Sequence, residues 1–241
     1  IIVGYKSYLT QIKSMLAGKE IVSSGMGDEV ERARKALALA KGGEKVALVS
    51  GGDAGVYGMA GLIFELMQNE DEKALNGFEC EVVPGVSALN AAASLLGAPL
   101  MCDFAAVNLS DLLVPWDTIA LRLEKAAQGD FVISLYNPAS HKRKDQIAKA
   151  REILLKYRDV LTPVGIISDA YREGQKVVLT DLEHMLDYEI GMNTLVIIGN
   201  STTFCSGNRM VTPRGYDTKY KIKFPKSKGI EGGFAPFAET H

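Results

Sequence analysis

The sequence predicts an α/β protein, from three observations. Short apolar strands alternate with amphipathic stretches almost to the end, several strands run straight into glycine-rich turns, and helix start and stop signals fall between them. Taken in order, strands are expected at residues 1–4, 20–23, 45–50, 79–83, 104–108, 131–136, 163–168, 176–179 and 194–198, with helices in the gaps. The pattern is that of parallel sheets covered by helices. The clearest helix opens at Asp28, carries Glu29 and Glu31 in its first turn and ends at Lys41-Gly42-Gly43, as capping and dipole rules favour.

The chain has 241 residues, 47% hydrophobic and 23% charged, which is ordinary globular composition and enough to bury a large core. The proline-bearing stretch Leu112-Leu-Val-Pro115-Trp116-Asp117 marks the expected boundary between an N-terminal α/β domain, 1–114, and a second, 115–220. Residues 221–241 are basic, glycine-rich and aperiodic, and read as a flexible tail. A net charge of -2 gives no overall attraction to nucleic acid or to an anionic membrane. No apolar run reaches the roughly 18 residues of a membrane span, and Cys80, Cys102 and Cys205 form neither a disulfide framework nor a zinc pattern, so a cytoplasmic protein without a metal site is expected. The chain begins inside a buried-type strand without a methionine, and further residues are expected upstream of Ile1.

Four segments carry chemistry. Ser50-Gly51-Gly52-Asp53-Ala54-Gly55-Val56-Tyr57-Gly58 follows an apolar strand, and its glycines allow close backbone approach to a ligand. It lacks Gly-Lys-Ser/Thr and the Gly-x-Gly-x-x-Gly spacing, and Asp53 would repel a pyrophosphate. A ligand with hydroxyls or positive charge fits better, S-adenosylmethionine among them. Val83-Pro84-Gly85-Val86-Ser87-Ala88 is a second turn ahead of a helix; it serves equally as plain turn chemistry. Tyr136-Asn137-Pro138-Ala139-Ser140 leads into His141, Lys142, Arg143 and Lys144. With a helix starting at Ser140, those cations would oppose the helix dipole and call for an outside anion such as a ligand carboxylate, or they form a solvated basic turn. Finally, Ser110 and Asp111 end a strand next to the expected boundary and suit acid/base work or turn capping.

Together with Val3-Gly4-Tyr5-Lys6-Ser7-Tyr8, Ser24-Gly25-Met26-Gly27-Asp28-Glu29, Asn108-Leu109-Ser110-Asp111-Leu112-Leu113-Val114-Pro115-Trp116 and Val211-Thr212-Pro213-Arg214-Gly215-Tyr216, these segments resemble the tetrapyrrole methylase family over residues 1–216. Within it they resemble the branch that methylates C17 of precorrin-3B or cobalt-factor III, with ring contraction, in cobalamin biosynthesis. The resemblance implies two α/β domains with the active site in the cleft between them, S-adenosylmethionine as methyl donor and a homodimer. Carried over residue by residue, the cofactor would meet Gly51, Gly52, Asp53, Val56, Ser87, Ala88, Tyr136, Asn137 and Ala170. A polycarboxylate macrocycle would meet Lys6, Lys142, Arg143 and Lys144, and Ser110 and Asp111 would handle protons. The family's first strand and Gly-x-Gly-Pro-Gly loop would lie upstream of Ile1. Rival readings are methylation of another ring carbon, of diphthamide or of ribosomal RNA, and a non-enzymatic ligand-binding relative; the net charge of -2 weighs against RNA.

Overall fold

In the computed structural model, which describes residues 1–70, 77–140 and 143–220, strand β1 (Ile2–Tyr5) is the centre of a three-stranded parallel sheet. Its neighbours are β2 (Ile21–Ser24) and β3 (Ala47–Val49), in the order β2-β1-β3. Helix α1 (Lys6–Gln11) leaves β1 directly, and Leu9 folds back so closely that a Cβ on Gly4 would lie 2.9 Å from its Cδ2. Helices α2 (Glu29–Lys41) and α3 (Met59–Met67) bury Ala33, Leu37, Met59 and Ile63 against Leu48 and Phe78. Residues 33, 36 and 37 of α2 are its buried apolar positions, the i, i+3, i+4 spacing of a helix with one covered face. Asp28 does sit at the start of α2, but its carboxylate accepts from Gly25 N at 2.9 Å instead of capping the helix amides. Gly43 ends the helix at φ +91°.

The expected strand at 79–83 does not form: these residues are exposed and pair with no strand among the described residues. Val83 is 73% exposed, so its β-branched side chain has no sheet face to cover it.

By contact, the chain groups into two units, dividing after Ser87. The expected boundary at 114/115 falls inside the second unit. Helix α4 (Ala88–Leu96) packs on its sheet, and β5 (Phe104–Asn108) pairs with β6 (Val132–Tyr136), so residues 88–114 group with the downstream strands. The remaining elements of this unit are β4 (Gly97–Ala98), α5 (Trp116–Gln128), α6 (Gln146–Leu154), β7 (Pro163–Ser168), β8 (Lys176–Asp181), β9 (Thr194–Ile198), β10 (Phe204–Ser206), β11 (Arg209–Val211) and α7 (Tyr216–Tyr220).

Its main sheet has the order β5-β6-β9-β7-β8, and only β5 and β6 are parallel neighbours. The second sheet is therefore mixed, where all-parallel sheets were expected. The difference arises from connection length: seven residues join β7 to β8, enough for a hairpin and too few for a crossover helix. A small sheet, β10-β11-β4, has strands two or three residues long, too short to carry a periodic signal in the sequence.

Strands β6 and β9 are buried at every position. Ile133, Leu135, Val164, Ile166, Val196 and Ile198 face one core with residues of α5 and α6, while Val132, Tyr136, Ile167, Leu195 and Ile197 face another with residues of α4. Alternation thus sends successive side chains into two apolar layers.

Arg158 closes the C-terminal end of α5. Its Nη1 donates to Ala127 O at 2.7 Å, its Nη2 to Phe131 O at 3.1 Å, and Asp130 lies 3.1 Å away as its ion pair. The side chain is 3% exposed, and burial pulls the guanidinium pKa below its ordinary value while Asp130 opposes that shift. Replacing it takes a donor from the Ala127 carbonyl and from the Phe131 carbonyl and breaks the ion pair, while Asp130 keeps its hydrogen bonds from Ser201 and its own N–H still donates to Ala127 O. Arg158→Met should lower the unfolding free energy by about 1–3 kcal/mol, read as a fall in urea midpoint at constant m-value.

Candidate functional site

In the first unit, β3 feeds the loop 50–58, which ends at Gly58, the residue before α3. Asp53 organises it. Its Oδ1 accepts from Gly55 N at 2.8 Å and its Oδ2 from Gly85 N at 2.9 Å, so one carboxylate ties the loop after β3 to the turn at 84–87. The Gly85 amide, then that of Gly55, hold the carboxyl pKa below the usual aspartate value. Glycine at 85 is a steric requirement, since a Cβ there would sit 2.2 Å from Gly52 O. Gly52 takes φ +70°, and the Tyr8 ring lies against Gly51, where a Cβ would come within 2.7 Å. Val56 and Tyr57 project outward, and Tyr57 is held at φ +53°. No lysine or arginine lies between Ser50 and Gly58. An ionised acid among backbone amides, with no cation in its own loop, fits a hydroxylated or cationic ligand and not a phosphate.

In the second unit, β6 and β7 both run antiparallel to the β9 between them, and β5 runs parallel to β6. The C-terminal ends of β5, β6 and β7 therefore share one edge of the sheet. Asn108, Tyr136-Asn137 and Asp169-Ala170-Tyr171 all stand there. The Tyr136 hydroxyl accepts from Leu89 N at 3.0 Å, which sets Ala88 and the start of α4 against the end of β6. The Tyr171 hydroxyl meets Ser94 Oγ of α4 at 2.9 Å, and Asn193 Nδ2 donates to Asp169 Oδ1 at 3.0 Å. Asn137, Asp169 and Tyr171 have φ of +48°, +48° and +57°. Left-handed backbone is rare for non-glycine residues, and above all for tyrosine, and it gathers at ligand sites.

Ser87 is buried, at 7% exposure, whereas Ala88 is exposed and Ala170 half-buried. Ser110 and Asp111 follow β5: Ser110 N donates to Asn108 Oδ1 at 2.9 Å, and that oxygen also accepts from Asn137 Nδ2 at 3.1 Å, joining two strand ends. Gln146 Nε2 donates to Asp111 Oδ2 at 3.1 Å. Lys6 is exposed in the first turn of α1. Lys142 lies outside the described residues.

One expectation about the basic turn is corrected. Helix α6 begins at Gln146 and not at Ser140, so Arg143 and Lys144 precede it and do not burden its first turn. Ser140 and Arg143 close a turn on each other, N–H to carbonyl, at 2.8 and 3.2 Å. Arg143 Nη1 reaches Leu109 O at 3.4 Å, its other guanidinium donors have no partner among the described residues, and Lys144 is exposed. Among the described residues no group of three or more His, Cys, Asp or Glu could hold a metal ion, and no helix is long and apolar enough to cross a membrane.

Three side chains that shape these loops carry no sequence signal strong enough to assign them a role: Tyr8, Arg32 and Gln146. Arg32 is 5% exposed, donates to Ser24 Oγ and Gly25 O at 2.7 Å each, and stands 5.6 Å over the Tyr5 ring, fixing the turn after β2. A charged residue on the apolar face of α2, one position before Ala33, is the available signal.

The Asp53 bridge has a titration signature. Its pKa is depressed in the folded state, so its stabilising effect is present above the ordinary carboxyl range and lost as pH falls through the lowered folded value. The Gly55 and Gly85 amide resonances should titrate together with one midpoint below 3.8, and Asp53→Ala should abolish that shared transition. Separate midpoints would contradict the bridge.

Comparison with known proteins identifies the family of the chain. The family model for Tetrapyrrole (Corrin/Porphyrin) Methylases matches residues 1–186. A protein of Priestia megaterium named "Cobalt-factor III methyltransferase" is 51% identical over 92% of this chain, which spans 41% of that relative's length. A protein of Salmonella typhimurium named "Probable cobalt-factor III C(17)-methyltransferase" is 45% identical over 90% of this chain and 88% of its own. The crystal structure of the methyltransferase CobJ superposes with a TM-score of 0.80 at 34% identity, covering 88% of this chain and 87% of that one. The chain belongs to the tetrapyrrole methylase family.

Proposed function

We propose that this chain transfers a methyl group from S-adenosylmethionine to C17 of cobalt-factor III or precorrin-3B, with ring contraction, in cobalamin biosynthesis. The observation that carries the reading is the high identity to relatives named for C17 methylation, maintained across both units of the chain. The site chemistry supports it independently: an acid-bearing glycine loop without cations suits a sulfonium cofactor, and Arg143 with spare donors beside the end of β5 suits a macrocycle rich in carboxylates.

When bound, S-adenosylmethionine supplies an electrophilic methyl group, which passes to an electron-rich ring carbon by in-line displacement. The chain's task is positioning. Asp53 keeps Gly51, Gly52 and Val56 in register with Gly85 and supplies a fixed negative charge for a cationic donor. Tyr136 and Asn137 present a hydroxyl and an amide at the end of β6, and Ala170, small and flanked by two left-handed residues, leaves room at the end of β7. Lys6, Arg143, Lys144 and Lys142 pair with ring carboxylates, and Ser110 and Asp111 sit where a proton can be taken from or returned to the ring. The working form is a cytoplasmic homodimer, as the family resemblance implies.

Incubation with cobalt-factor III or precorrin-3B and methyl-labelled cofactor should give a C17-methylated, ring-contracted product; label on another carbon would reject the C17 assignment. Failure to bind either the cofactor or its demethylated product would reject the enzyme reading. Gly85→Ala, which forces the two loops apart, should weaken cofactor binding on the order of tenfold or more in calorimetry, about 1.4 kcal/mol or above, with little loss of helix signal.

A further inference from the structure

Gln146 is the first residue of α6, yet it is 9% exposed, unusual for a long polar side chain at a helix start. Its Nε2 donates to Asp111 Oδ2 at 3.1 Å, and its Oε1 is buried with no hydrogen-bond partner among the described residues. Buried amide oxygens are rarely left unpaired. Asp111 is half-exposed, and among the described residues its Oδ1 has no partner. The same carboxylate lies one residue beyond Ser110, whose amide is fixed by Asn108, so its backbone is anchored at the shared end of β5 and β6.

A carboxamide carries a donor and an acceptor at equal reach. With Nε2 toward Asp111 it stabilises the carboxylate; turned over, Oε1 accepts from the protonated acid. An apolar residue could do neither, and a cation could serve only the ionised form. We propose that Gln146 is a positioning residue that holds Asp111 in both protonation states, so that Asp111 Oδ1 can exchange a proton with the tetrapyrrole during methyl transfer. The proposal rests on the C17-methylation reading. In the step concerned, the ring C–CH3 bond forms as the S–CH3 bond breaks to leave a neutral thioether. The ring gains one positive charge and releases one proton to the Asp111 carboxylate, which later returns it to water.

The test compares the whole protein with Gln146→Met, Asp111→Asn and the double variant. Gln146→Met should lower kcat about tenfold while the tetrapyrrole KM and the cofactor affinity stay within about twofold, and Asp111→Asn should lose about a hundredfold or more. The double variant should be no slower than Asp111→Asn, because Gln146 has nothing left to hold. Independently of turnover, the Gln146 side-chain amide resonances should follow pH in the wild type and stop doing so in Asp111→Asn. Additive losses in the double variant, an effect of Gln146→Met confined to KM or to thermal stability, or an amide indifferent to pH would each overturn the proposal while leaving the C17 reading intact. A wild type without C17 turnover overturns that reading, and this one with it.

Discussion

The architecture of the second unit depends on the burial of β6, β9 and most of β7 on both faces. A strand covered above and below by apolar layers has no room for functional groups along its length, since each polar atom would need a buried partner. Chemistry is therefore pushed to the strand ends. Because β5, β6 and β7 run the same way, their carboxyl ends coincide, and the polar residues at 108–111, at 136–140, at 143 and at 168–171 collect on one edge. Ser134 is the exception inside β6: it is fully buried, and its Oγ has no partner among the described residues.

The first unit solves the same problem with less material. Its three strands are short and partly exposed, so they cannot define a loop by burial alone. Asp53 takes that role by electrostatics. Two backbone amides converge on its carboxylate, and the approach of Gly85 to Gly52 leaves no space for a side chain. The acid that argues against phosphate on grounds of charge is also the staple of the loop. The two roles are compatible, because accepting two amide protons favours the ionised state and so preserves the charge.

Legibility in the sequence tracks the size of the physical signal. Strands β6, β7 and β9 can be read closely because a run of buried residues rich in valine and isoleucine is long enough to be unambiguous. Their directions cannot, because antiparallel and parallel strands buried on both faces have the same apolar pattern; only the length of the link between β7 and β8 distinguishes them. Residues 79–83 read as a strand from composition alone, but strand formation also needs a neighbour. Ser140 reads as the start of α6 because a serine before charged residues resembles a cap; it instead closes a turn with Arg143. Of the site, the glycines, Asp53 and Tyr136-Asn137 are legible as strand-to-turn junctions. Gln146 is not, because its significance arises from burial across a 35-residue separation from Asp111.

Backbone strain marks the same loops. Apart from Asp130, the non-glycine residues with positive φ among the described residues are Tyr57, Asn137, Asp169 and Tyr171, each within or beside a loop with an expected cofactor contact. Such conformations cost on the order of 1–3 kcal/mol each, least for Asn and Asp, and persist only where surrounding contacts over-determine them. Here the contacts are visible: Tyr171 N donates to Gln175 Oε1 at 2.7 Å while its hydroxyl meets Ser94, and Asp169 is held by Asn193 through both backbone and side chain. A loop optimised for stability alone would place glycine at these positions. Tyrosine in left-handed backbone at these turns therefore carries a cost that glycine would avoid, and the contacts to Gln175 and Ser94 are what hold Tyr171 there.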